Sequence, residues 1–309
     1  MKIVIVGPGA MGCLLAAFLF KSKEQLWLVD HNKERAAKIS QSGISLEGVS
    51  GNWQAKVRAT VDLKEIGQAD LIILAVKAYD TKEAIKNIKP LVSADTQVLT
   101  LQNGIGNVEI IAEAIGQENV IAGVTNLGAT LLGDGNIRHA GKGETVIGRL
   151  DAKTPVEMRR IREVFDRAGL EIKFSRDIKG LLWSKLIINV GINALTVLTR
   201  LPNGKLTGFE GSSRILRQAV TEAVKVAKRK RIKLIYDDPL AKVEAVCEAT
   251  SVNISSMLQD VLRHRRTEID FINGVIVRQA QELGIAVPVN ALLVDLIKTI
   301  EASYKFSVK

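Results

Sequence analysis

Lys2-Ile-Val-Ile-Val-Gly-Pro-Gly-Ala-Met-Gly12 is the stretch that decides the fold. Lys2 to Val6 reads as a buried strand, the glycine-rich turn Gly7, Pro8, Gly9, Ala10, Met11, Gly12 follows at once, and Leu14 to Phe20 has the pattern of an apolar helix. Such a turn between a first strand and a first helix aims backbone N–H groups and the positive end of the helix dipole at a pyrophosphate. A GxGxxG alone is weak, but with a strand before it and a helix after it the motif predicts dinucleotide binding.

Moving outward, Gln25 to Val29 predicts the second strand, ending in Asp30-His31-Asn32. An acidic residue about twenty positions past the glycines is where NAD enzymes hold the ribose hydroxyls, whereas NADP enzymes usually place a basic residue nearby. Asp30 would repel a 2′-phosphate, yet His31, Asn32, Lys33 and Arg35 offer to receive one if Asp30 points away, so these residues leave NADPH against NADH open. Strand patterns follow around Ile44–Leu46 and Trp53–Ala59, then Leu71–Val76 reads as a continuous buried strand. It ends in Lys77, on the edge of a parallel sheet where ligands bind. The next strand, Gln97–Leu101, ends in Gln102-Asn103-Gly104; Asn-Gly is most often a plain turn, but at this edge it puts Asn103 over the nicotinamide end of a dinucleotide. Strands at Val120–Gly123, Ala129–Leu132 and Thr145–Ile147 complete the sheet region, with a hairpin turn at Asp134-Gly-Asn.

After a helix at Pro155–Ala168 and a strand at Glu171–Phe174, strand patterns stop. Helices are expected at the stretch around Trp183, then at Ser212–Lys230, Pro239–Thr250, Ser256–Leu262, Thr267–Leu283 and Val289–Lys305. The expected fold class is therefore α/β plus all-α: a Rossmann dinucleotide-binding domain over 1–176 and a helical substrate domain over 177–309, with the ligand cleft at the junction. Leu292, Leu293 and Leu296 in the last helix serve equally as core or as contact in a homodimer.

Composition sets the class. With 309 residues, 47% of them hydrophobic and 25% charged, the chain is long enough for two cored domains. No run of eighteen or more uncharged apolar residues occurs and the N-terminus enters a strand pattern directly, so the expected location is cytoplasmic, without a membrane partner. Cys13 and Cys247 lie far apart and only three histidines are present, which suggests neither a disulfide framework nor a metal site. The net charge is +10, and the basic residues concentrate in two groups on predicted helices: Lys225, Lys228, Arg229, Lys230, Arg231 and Lys233, and Arg263, Arg265 and Arg266. With 4% aromatics, and none interleaved with the charges, they read as solvated faces rather than a nucleic-acid surface.

The chemistry is expected in Trp183-Ser-Lys-Leu-Ile-Ile-Asn-Val-Gly-Ile-Asn193. Lys185, Asn189 and Asn193 are four apart, so a helix stacks them along one face for about 12 Å, amid apolar neighbours. A buried ammonium costs several kcal/mol unless it is compensated, which asks for an ion pair or for a cavity with a task; the bland alternative is a snorkelling lysine with asparagines bonded to backbone. Further on, Glu268 and Asp270 cannot share a helix face, and Glu268 either serves a helix N-terminus or faces Lys185 or the ligand.

These motifs together resemble the ketopantoate reductase (2-dehydropantoate 2-reductase) family along the whole chain. The resemblance rests on Gly7-Pro-Gly-Ala-Met-Gly12, Val76-Lys77-Ala-Tyr, Gln102-Asn103-Gly104, Trp183-Ser-Lys185 with Asn189 and Asn193, Leu201-Pro-Asn203-Gly, Asn253-Ile-Ser-Ser256-Met-Leu-Gln-Asp and Arg266-Thr-Glu268-Ile-Asp-Phe-Ile-Asn-Gly. It implies NADPH-dependent reduction of ketopantoate to pantoate, on the way to pantothenate and coenzyme A. In position, the catalytic lysine falls on Lys185. The substrate-binding asparagines fall on Asn189, Asn193 and Asn203, the substrate-binding serine on Ser256, and the glutamate that meets both cofactor and lysine on Glu268. Cofactor contacts fall on the glycine loop, Lys77, Asn103, which also touches substrate, and the neighbourhood of Ala129. Asp30-His31 departs from the family, which commonly has an arginine there for the 2′-phosphate.

Overall fold

The computed structural model describes residues 1–306, which form two compact units. The first contains Met1–Gln102 and Asn107–Ile178; the second contains Asn103–Gly106 and the chain from Lys179 on.

In chain order the first unit holds β1 (Lys2–Val6), α1 (Ala10–Leu19), β2 (Gln25–Val29), α2 (Lys33–Ser42), β3 (Ile44–Gly48), β4 (Trp53–Ala55), β5 (Arg58–Thr60), β6 (Leu71–Leu74), α3 (Thr81–Ile88), β7 (Gln97–Thr100), α4 (Asn107–Ile115), β8 (Val120–Thr125), β9 (Gly128–Gly133), β10 (Asn136–Gly141), β11 (Thr145–Gly148), α5 (Val156–Arg167) and β12 (Ile172–Phe174). Eight strands make one sheet in the order β12-β11-β8-β7-β6-β1-β2-β5. All neighbours run parallel except β8 and β11. Parallel central strands are covered on both faces, which is why Ile3, Val4, Ile5, Leu71, Ile72 and Ile73 are all fully buried. This is the Rossmann arrangement. Its order reverses beside β1, so the carboxyl ends of β1 and β6 flank the switch point where such sheets take ligands.

A second sheet, β4-β3-β10-β9, packs beside α1. One expectation fails here, and one strand was not foreseen. Trp53–Ala59 alternates like a single strand, but β4 pairs antiparallel with β3 and β5 pairs parallel with β2. Alternation records which face is buried, not which strand is the neighbour, and the chain changes sheets at Lys56-Val57. β10 went unread because one of its two inward positions is His139, which is 2% exposed and bonded through Nδ1 to Ser50 Oγ at 2.6 Å.

The second unit holds α6 (Ile178–Thr199), α7 (Glu210–Arg229), α8 (Pro239–Ala249), α9 (Ser256–Leu262), α10 (Asn273–Glu282) and α11 (Pro288–Ala302). α6 is its axis. By length and composition it is apolar enough to cross a membrane, but 67% of its most apolar window is buried inside the fold. α7 and α8 close on it at Gly191, where an added Cβ would lie 2.8 Å from Val220 Cγ2 and 3.0 Å from Val243 Cγ1. Inside, Asn273 Nδ2 donates to the Val190 carbonyl and to Asn290 Oδ1. Asn290 Nδ2 in turn donates to Ala219 O and Glu222 Oε2, so α6, α7, α10 and α11 share one buried polar network.

The helix expected over Thr267–Leu283 starts later, at Asn273, after a short 3₁₀ turn at Ile269–Phe271. The Phe271 carbonyl leaves the helical ladder to accept the Ile105 N–H at 3.1 Å, and Ile272 breaks the helix at φ −110°, ψ −91°. Arg263, Arg265 and Arg266 are exposed as expected but follow α9 in a turn rather than lying on a helix. Leu293 is core, while Leu292 and Leu296 are 58% and 39% exposed.

Candidate active site

In the first unit the glycine loop divides its labour. Gly7 takes φ +101°, and a Cβ there would meet Val76 Cγ1 at 2.8 Å. At Gly12 a Cβ would sit 2.0 Å from the Gly7 carbonyl oxygen, so bringing α1 against the loop demands glycine. Gly9 is different: a Cβ there meets no protein atom within 4 Å, and φ −76° suits any residue. Its small size serves no internal packing, which is what close approach by a pyrophosphate would require. The α1 N-terminus has no side-chain cap and no acidic residue in its first turn, so its amides and dipole remain suited to an anion.

At the end of β2, Asp30 is turned inward, its side chain 1% exposed. Arg35 grips it with two prongs, Nε to Oδ2 and Nη2 to Oδ1, both 2.6 Å, and the Asn32 N–H donates to Oδ1 at 3.0 Å. Burial raises the Asp30 pKa, but the Arg35 bonds and the Asn32 amide outweigh it and hold the carboxyl below its ordinary value. His31 stays at the surface, its side chain 91% exposed.

Lys77 follows β6 and opens a 3₁₀ turn at Ala78–Asp80. Its surroundings are pinned by Gln102, whose Nε2 donates to the Val76 carbonyl at 2.9 Å and to Thr81 Oγ1 at 2.8 Å, while Oε1 accepts from Thr100 Oγ1 at 2.9 Å. Thr81 Oγ1 passes its proton on to Asn107 Oδ1 at 2.8 Å. Gln102 thus ties the ends of β6 and β7 together. Ala129 is half-buried on β9 and pairs with His139.

Asn103 belongs to the helical unit, because the turn that follows it is fastened to Phe271. Gly104 takes φ +84°, and a Cβ there would lie 2.4 Å from the Phe271 carbonyl oxygen, so Asn-Gly here is a packed junction and more than a free turn.

Lys185, Asn189 and Asn193 share α6 as expected, with Asn193 buried and the other two half-buried. Loss of hydration lowers the Lys185 ammonium from its ordinary 10.5 to about 8, and the negative charge of Glu268 limits the fall. Glu268 is 5% exposed and immediately precedes the 3₁₀ turn. Asp270 has other partners, Lys298 at 2.6 Å and Arg266 at 3.5 Å, so the two carboxylates part ways as their spacing predicted.

A run of bonds ties Asn203 to the segment before α9, and Ser255 in that segment to α6. The Asn203 N–H donates to Asn253 O, and its Nδ2 to Thr250 Oγ1, each at 2.9 Å. Its Oδ1 is buried without a hydrogen-bond partner. Two residues on, Ser255 caps α9 by accepting the Leu258 N–H at 3.0 Å and meets Thr196 Oγ1 of α6 at 2.6 Å. Thr196 donates to the Asn193 carbonyl at 2.8 Å. Ser256 is half-buried at the first position of α9.

A model described as ketopantoate reductase PanE/ApbA matches residues 3–152, and one described as its C terminal matches residues 177–301. The chain belongs to the ketopantoate reductase family. Its relatives include the 2-dehydropantoate 2-reductase of Pyrococcus horikoshii, 36% identical with 98% of each chain covered, and that of Halobacterium salinarum, 32% identical over 96% of this chain and 98% of the other. Among solved structures, a PanE/ApbA family ketopantoate reductase from Ralstonia eutropha JMP134 superposes with a TM-score of 0.91 at 34% identity, covering 99% of this chain and 100% of that one. A D-mandelate dehydrogenase with NADH and anilino(oxo)acetate gives the same TM-score at 30% identity and the same coverage.

The structural roles of Arg35, Gln102, Thr196 and Ser255 escaped the sequence reading. Arg35 was weighed only as a phosphate ligand, although its place five residues after Asp30, one turn into a helix capped by Asn32, allows it to reach back. Nothing local marks the Thr196–Ser255 pair, whose members are 59 residues apart.

Proposed function

We propose that this protein reduces 2-dehydropantoate (ketopantoate) to (R)-pantoate with NADPH, a step toward pantothenate and coenzyme A, acting in the cytoplasm with Lys185 as proton donor. The observation that carries the reading is the placing of Lys185 on the same buried helix as two asparagines, where lost hydration lowers the pKa of its ammonium to about 8 and the charge of Glu268 opposes the fall. Such a group is charged below that value, yet it yields its proton far more readily than a surface lysine.

The glycine loop, Lys77, the neighbourhood of Ala129, Asn103 and Glu268 would hold the dinucleotide. Reduced nicotinamide supplies the hydride that the ketone carbon receives. The chain's own part is to place the ketone and to protonate it: Lys185 Nζ donates to the oxygen as it becomes an alkoxide, and the product leaves as the alcohol. Asn189, Asn193, Asn203 and Ser256 hold the carboxylate and hydroxyl of the 2-keto acid, fixing the ketone for attack. The buried Oδ1 of Asn203 suits a substrate hydroxyl, because a buried acceptor without a partner gains most from a donor.

For the cofactor, the inward, neutralised Asp30 supports NADPH: its charge is compensated and its oxygens are engaged, so it neither repels a 2′-phosphate strongly nor stands ready for ribose hydroxyls. A second reading, NADH with another 2-keto acid, is favoured by the likeness to the NADH-bound D-mandelate dehydrogenase. Steady-state reduction of ketopantoate and a ladder of branched and aromatic 2-keto acids, each with NADPH and NADH, separates the two. The first reading expects the highest kcat/KM for ketopantoate with NADPH.

A further inference from the structure

Thr196, on α6, is fully buried, and its hydroxyl is the junction of a three-membered chain of hydrogen bonds. Donor and acceptor counting fixes the direction of each bond. The Asn193 carbonyl can only accept, so Thr196 Oγ1 gives its proton there, at 2.8 Å. The Leu258 amide can only donate, so Ser255 Oγ accepts at 3.0 Å. Ser255 must then donate its own proton to Thr196 Oγ1, at 2.6 Å. No hydroxyl in the chain is left with a choice. The relay begins at the backbone of Asn193 and ends at the first turn of α9, whose first residue is Ser256.

Both ends therefore carry residues that the proposed function gives to substrate. Around this relay the core is apolar, with Val197 of α6 and Met257, Leu258 and Val261 of α9 all buried in one cluster. Apolar contacts are non-directional and leave sliding of a few tenths of an ångström nearly free, whereas the buried Ser255–Thr196 bond, held at each end by a local bond to backbone, sets a distance and an angle. We infer that Thr196 and Ser255 are positioning residues for this reaction, their buried hydroxyl relay setting the spacing between Asn193 and Ser256 so that both engage one 2-keto acid. The inference rests on the substrate reading above and deepens it.

The test compares the wild type with Thr196→Val, Thr196→Ser and Ser255→Ala, reading kcat, the KM for ketopantoate, the KM for NADPH and Tm. Valine matches threonine in volume but strands the Ser255 proton; serine keeps the hydroxyl. The expected result for Thr196→Val is a rise of about tenfold or more in the ketopantoate KM, with the NADPH KM within about twofold. Thr196→Ser should restore most of the loss, and Ser255→Ala should reproduce the valine variant. A ketopantoate KM unchanged in Thr196→Val, or a loss that serine does not rescue, would overturn the inference while the wild-type rate upholds the substrate reading. Should Thr196→Val not fold, Ser255→Ala with Thr196→Ser decides by the same KM split. A wild type that turns over no 2-keto acid overturns the substrate reading and the inference together.

Discussion

Arg35 clasps Asp30 through two parallel bonds of 2.6 Å at the end of the second strand, where a dinucleotide's adenosine ribose is read. The pair converts an acidic position into a compensated one. Replacing Arg35 by Ala leaves a buried carboxylate uncompensated and removes a positive charge, so the NADPH KM should rise about ten- to a hundredfold while the NADH KM changes far less. The double variant Asp30→Ala/Arg35→Ala should recover part of the loss for NADPH. Steady-state kinetics with both cofactors checks this, and equal effects on the two would show that the pair does not face the 2′-phosphate.

The glycine loop offers a paired test. Gly12→Ala forces a Cβ to within 2.0 Å of a carbonyl oxygen, which should lower Tm by roughly 5 °C or more. Gly9→Ala meets no protein atom within 4 Å, so Tm should stay within about 2 °C while NADPH affinity drops about tenfold or more. Thermal melts and cofactor titration by fluorescence separate the two outcomes. Equal affinity in Gly9→Ala would contradict the role given to that glycine.

The pH profile follows from Lys185, whose loss of hydration brings its pKa down from 10.5 to about 8 against the opposing pull of Glu268. The proton donor is charged below that value, so ketopantoate kcat/KM should fall as pH rises through about 8. Glu268→Gln removes the charge that favours the ammonium, so the falling limb should move to lower pH. Stability runs the other way. Between about 8 and 10.5 the folded chain binds fewer protons at this group than the unfolded chain, so the cost of burying the ammonium is relieved as pH rises through that window. A limb that stays in place in Glu268→Gln would detach the carboxylate from the lysine.

Much of the first unit was legible because its strands are buried on both faces and its turn carries three glycines with separate duties. The α6 stripe was legible for a related reason: within residues 183–193 one lysine and two asparagines at a spacing of four interrupt a largely apolar run. What escaped depends on tertiary choices. Trp53–Ala59 changes sheets without changing its alternation, and β10 turns a histidine inward against Ser50. The start of α10 is displaced by a single carbonyl, that of Phe271, diverted to Ile105. Likewise the inward turn of Asp30 depends on whether Arg35 folds back over it, and the hydroxyl relay joins residues that only the folded chain makes neighbours.

The measurement that bears most directly on the account is ketopantoate-dependent NADPH oxidation by the wild type and by Lys185→Ala, with NADPH affinity titrated for both. General-acid help is typically worth about 10²- to 10⁴-fold, so the account predicts a fall in kcat of that size with NADPH affinity within about threefold of the wild type. A variant that turns over as fast as the wild type would contradict it.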